Sequence, residues 1–99
     1  MYVSNSVNGK KETANKIEEL IKLIRQESNI GDGQRQSLIT NFDKVRGEAL
    51  EEKPDKSKII KWLTNTKVIL ENLVLTHHVT EAVHWVYDNL NFAIRHIGG

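Results

Sequence analysis

The sequence predicts an all-α fold, an antiparallel four-helix bundle. Apolar residues recur at three- and four-residue steps in four successive stretches, the period of one helix face. Between the first three stretches stand clusters of Gly, Asn, Asp and Pro that stop one helix and start the next. No stretch alternates apolar and polar residues as a half-buried strand would. A chain of 99 residues is one domain. We therefore expect a flexible lead-in over residues 1–10 and a single helical domain over residues 11–99.

The lead-in is small and polar around Tyr2 and Val3, with Gly9 as a breaker and Asn8 as a candidate cap. The first helix is expected over residues 11–28. Thr13, Ile17, Leu20 and Ile24 share a face that Ala14, Ile21 and Leu23 widen. Glu12/Lys16 and Glu18/Lys22 are i,i+4 neighbours of opposite charge, so the charge run reads as a solvated face. Asn29-Ile30-Gly31-Asp32-Gly33 ends this helix, with Asp32 a candidate N-cap for the next.

The second helix is expected over residues 34–52 on a thin stripe of Leu38, Phe42, Val45 and Ala49. Gly47 inside it costs about 1 kcal/mol relative to Ala. Either that cost is tolerated or a neighbouring helix comes close there. Pro54 ends this helix, and Asp55 favours the start of the third, expected over residues 55–74. Ile59, Leu63, Thr66, Leu70 and Leu73 share its core face, with Trp62 and Ile69 beside it.

No Gly or Pro divides the third helix from the fourth, expected over residues 77–97. Their apolar stripes are out of phase, however, and Thr76 is a suitable cap, so a tight turn is predicted between them. One long kinked helix is the alternative. The fourth helix has its core stripe on Val79, Val83, Val86, Leu90, Ala93 and Ile97, widened by Ala82 and Ile94.

Composition excludes several classes of function. With 14 basic and 13 acidic side chains the net charge is +1, which gives no whole-chain attraction to nucleic acid or an anionic membrane. The absence of cysteine rules out disulfides, thiolate nucleophiles and cysteine zinc sites. No run of apolar residues has the length of a membrane span or a signal peptide, and a cytoplasmic location is the expectation. Phosphate-binding glycine loops, HExxH and GxSxG are absent, and no cofactor is implied.

Three constellations remain. On the fourth helix, His77, Glu81, His84 and Asp88 form a polar strip whose i,i+4 pairs have metal-ligand residue types. The commoner use of such a strip is a solvent face. The Glu81-Ala-Val-His84 segment has no second copy, whereas di-iron bundles need that motif on paired helices. On the third helix Lys56, Lys58 and Lys61, with Trp62 among them, are the candidates for phosphate contact, a weaker reading without a recognition-helix pattern.

The third constellation carries the functional expectation. Trp85 and Phe92 stand i,i+7 on a flank of the fourth helix, with His78, Asn89 and His96 nearby. Either this helix is central and touched on several sides, or the aromatic flank is an interface. The sequence favours a non-enzymatic interaction or oligomerisation module, with a second copy or another protein as partner. Residues Glu52 to Leu63 resemble helical segments of uncharacterised bacterial proteins, some encoded near mobile-element or defence genes. That likeness implies an accessory domain of a bacterial or phage system and assigns no residue a role.

Overall fold

A computed structural model describes residues 2–90 and 92, residues 2–8 as backbone. Four helices follow in order: α1 (Tyr2–Gln26), α2 (Asp32–Ala49), α3 (Lys56–Leu70) and α4 (His77–Asn89). Among the described residues there is no strand. The body measures 41 × 23 × 23 Å, and at about 1.5 Å per residue α1 alone runs most of its length.

Each predicted helix exists, with shifted boundaries. α1 begins at Tyr2, so Asn8 lies inside the helix instead of capping it. No proline interrupts residues 2–8, and a Cβ at Gly9 would meet nothing within 4 Å. The start of α1 is also tied to the next loop. Lys10 Nζ donates to the carbonyls of Glu51 and Glu52 at 2.9 and 3.2 Å. Among the described residues the ion pair in this helix is Lys16–Glu19 at 3.6 Å, so Lys16 pairs one turn ahead and not with the expected Glu12 one turn behind.

Arg35 closes the C-terminal end of α1. Its guanidinium donates to the carbonyls of Ile24, Glu27 and Ile30, at 3.2, 2.6 and 3.0 Å. A cation on unsatisfied carbonyls is favoured both by hydrogen bonding and by the helix dipole. The N-cap of α2 is Gly31, not Asp32, and Gln34 Oε1 accepts the Gly31 N–H at 3.2 Å. Asp32 sits in the first turn and pairs with Arg35 at 3.1 Å.

The predicted stripe of α2 is the buried one: Leu38, Phe42, Val45 and Ala49. At Gly47 an added Cβ would meet nothing within 4 Å, so no helix approaches there and the glycine is simply tolerated. Gly47→Ala is therefore expected to stabilise the fold by about 1 kcal/mol. The thermal midpoint should rise by roughly 4–8 °C, read by circular dichroism. An unchanged or lower midpoint would count against this account.

Asp55 is the N-cap of α3, where its carboxylate accepts the N–H groups of Ser57 and Lys58 at 2.9 and 3.3 Å. The Ser57 hydroxyl, which donates to the same carboxylate at 3.0 Å, and these backbone bonds hold its pKa below the ordinary value. α3 ends at Leu70, and the six residues to Thr76 settle the relation of the last two helices: they are separate. Leu73 and Leu75 turn into the core, while Val74 between them is 74% exposed.

The core runs the length of the bundle through Ile17, Leu20, Ile24, Leu38, Phe42, Leu63, Leu70, Val79, Val83 and Val86. Each such side chain, once fully buried, contributes about 1.5–3 kcal/mol relative to exposure. α1 packs closely on α2 and α4, and α2 on α3. α3 and α4 are not among these close pairs, and the seam between them is bridged by a long side chain. Tyr87 is fully buried, and its hydroxyl lies 2.6 Å from Thr66 Oγ1.

Candidate interaction surface

α4 ends well before the expected residue 97. The Leu90 N–H donates to the Val86 carbonyl at 3.1 Å, and the Phe92 N–H reaches back to the Tyr87 carbonyl at 2.8 Å. That six-to-one bond is the signature of a Schellman helix end, which usually brings a hydrophobic contact between the same two residues. Here the contact is Phe92 edge-on to Tyr87, ring centroids 5.2 Å apart at 79°. The chain turns because this end satisfies orphan carbonyls and buries an aromatic edge together.

The turn changes the meaning of the aromatic flank. Trp85 and Phe92 do not form a straight i,i+7 ridge, because Phe92 lies beyond the last turn of α4. Both are half-buried and pack against the core. Trp85 faces α1, with Lys16 Nζ 5.6 Å from its ring centroid, a cation–π approach. Asn89 donates to the Trp85 carbonyl at 2.8 Å, and His78 is exposed near the other end of α4. His96, Ala93, Ile94 and Ile97 lie outside the described residues.

What gathers at the C-terminal end of α4 is a cleft. Two hollows of about 370 Å³ each meet there and share Pro54, Ile59, Asn89 and Leu90. One extends past Trp85 to Thr13 on α1; the other extends to Ile60 and Lys56 on α3. Pro54, Ile60 and Leu90 were not foreseen as surface residues. The signal for Ile60 was available, since it lies beside the core position Ile59 and off the predicted stripe.

The polar strip of α4 is not drawn into a cluster. His77 Nε2 and Glu81 Oε1 are 2.9 Å apart, with both side chains mostly in solvent. Exposed pairs of this kind contribute little to stability. His84 is half-buried and Asp88 exposed, and no ion pair joins them. Among the described residues no group of three His, Asp or Glu is placed to hold a metal. Lys56, Lys58 and Lys61 are exposed on α3, and Trp62 is half-buried against the core. No helix among the described residues is long and apolar enough to cross a membrane.

Comparison with protein-family models, curated proteins and solved structures finds no match. The surface itself is the whole basis for a functional reading.

Proposed function

We propose that this chain is a non-enzymatic protein-interaction module that works at the C-terminal end of α4. Its partner is a second copy or another protein. One observation carries the reading. An apolar cleft lined by Trp85, Leu90, Pro54 and Ile59 lies at the seam where two helices stand apart. Lys10, Glu12 and Lys56 also line it, and an aromatic and aliphatic wall with charged neighbours is the ordinary make-up of an interface anchor site.

A photoreactive amino acid placed at Asn89 of the full chain tests it. A discrete adduct should form from Asn89 and not from the exposed control position Gln36 on α2. Trp85→Ser should suppress that adduct while helicity is retained. Light scattering on the same sample then tells a second copy from a different partner. Equal or absent cross-linking from both positions would defeat the proposal, as would unfolding by Trp85→Ser, which would make Trp85 a core residue.

A further inference from the structure

The outer face of α3 carries a surface that extends beyond the cleft, which reaches only Lys56 and Ile60 on this face. Ile60 and Val68 are 53% and 57% exposed, large aliphatic side chains left in water on a helix whose core face is already filled. They are spaced i,i+8, with the exposed Thr64 midway between them. Thr64 Oγ1 donates to the carbonyl of Ile60 at 2.7 Å, so its hydroxyl is turned back onto its own helix. Ile60, Thr64 and Val68 thus form one ridge of β-branched residues along the helix.

Charge flanks this ridge on both sides. At about 100° per residue, Lys56 and Lys67 fall on one side of it, and Lys58 and Lys61 on the other. α3 contains these four lysines and no acidic residue. Among the described residues none of the four has a carboxylate within 4.0 Å, whereas Lys16, Arg35 and Arg46 each have one. An apolar ridge between two rows of cations without ion-pair contacts is complementary to an apolar stripe between two rows of carboxylates.

We infer that the outer face of α3 docks an acidic amphipathic helix of another protein, packing its apolar stripe on Ile60, Thr64 and Val68. The inference rests on the reading of the chain as an interaction module but uses the outer face of α3, which meets the cleft at Ile60 and Lys56 and runs on past it to Val68. A second copy is a poor occupant. Two α3 faces related by a two-fold axis would set lysine against lysine. The other large exposed aliphatics of the described chain, Leu50 and Val74, lie outside the helices and so form no helical apolar stripe that could pack along this ridge. The chain's own residues 93–99 contain Arg95 and no acid, so they lack the complementary charge. The exposed ridge has no aromatic side chain, which disfavours base stacking as the mode of contact.

The probe is a synthetic helix with leucines on one face and glutamates on both flanks. Its controls are the same stripe flanked by lysines and a scrambled glutamate peptide. Titrated into the isotopically labelled full chain, the first should shift the backbone amide resonances of Ile60, Thr64 and Val68. Both controls should bind at least about tenfold more weakly. Added salt should weaken binding, and so should Val68→Glu and Lys61→Glu, at unchanged helicity. Equal binding of the three peptides, or shifts confined to α1 or α2, would overturn the inference. So would tighter binding to phosphatidylserine vesicles or single-stranded RNA than to the acidic helix, or a concentration-dependent dimer abolished by Val68→Glu. If the Asn89 adduct persists while Val68→Glu and Lys61→Glu change nothing, the module reading stands and this inference falls. If the adduct is missing while the acidic helix binds α3, the cleft reading falls and the α3 surface stands.

Discussion

Tyr87→Ala is expected to cost about 3–5 kcal/mol, the range for removing a fully buried aromatic side chain. Tyr87 has no exposed surface, and its ring stands 6.4 Å from Phe42 and 5.2 Å from Phe92, centroid to centroid. It also bridges α3 and α4 through the Thr66 hydroxyl, so its loss removes a tie between these helices as well as packing. A domain of this size is typically stable by roughly 5–15 kcal/mol, and the variant should be marginal or unfolded by chemical denaturation.

Tyr87→Phe separates the ring from the hydroxyl. Thr66 Oγ1 still donates to the Leu63 carbonyl at 2.8 Å when the phenol is gone, so no buried donor is orphaned. The cost should be about 1 kcal/mol, one neutral hydrogen bond. Equal losses in the two variants would mean that the hydroxyl, and not the ring, ties the seam. Burial also pushes the phenol pKa well above its ordinary value of 10.0. The unfolded chain then releases this proton before the folded one does. Stability from Tyr87 is thus complete below pH 10 and lost as pH rises above it, a decline that Tyr87→Phe should lack.

The helices were legible in the sequence because their stripes are long and uninterrupted. Leu38, Phe42, Val45 and Ala49 were read as the face of α2 and are its buried residues. The phase slip between the stripes of α3 and α4 correctly announced two helices. Tyr87 was missed as core although it follows Val83 by four residues and adjoins Val86. A tyrosine at such a position is read as amphipathic until a buried acceptor is known, and Thr66 is 21 positions away. The end of α4 was missed for a related reason. The apolar period continues through Ile97, but the Phe92–Tyr87 contact and the backbone bond beneath it are won by leaving the helix. The aromatic flank was inferred from a helical spacing that stops short of Phe92. Trp85 keeps its place at a candidate surface, joined by Leu90 from the end of its own helix and by Pro54 and Ile60 from the α3 side.

Glu27 is the other residue that sequence reasoning passed over, and it carries the second large expected effect. It is 6% exposed, and its Oε2 accepts the Thr76 N–H at 2.9 Å. One carboxylate therefore joins the C-terminal end of α1 to the start of α4, where the helix dipole favours negative charge. Thr76 itself makes no side-chain cap bond, so this end of α4 relies on Glu27. Glu27→Ala should cost about 2–3 kcal/mol, the loss of a charge-assisted hydrogen bond and of the cap it provides. The Thr76 N–H, followed by weaker bonds from Asn29 and Ser28, holds the Glu27 pKa below its ordinary value of 4.5 against the opposing effect of burial. A depressed folded-state pKa means that the unfolded chain takes up this proton first as pH falls. The stabilisation from Glu27 is present above pH 4.5 and is lost as pH drops through the folded value. Asp55 titrates in the same direction, so the contribution of Glu27 is the difference between wild type and Glu27→Gln. Denaturant midpoints measured from about pH 6 to pH 3 should converge for these two proteins as the carboxylate is neutralised. Parallel curves across that range would show that the Glu27 charge does not hold α4 to α1.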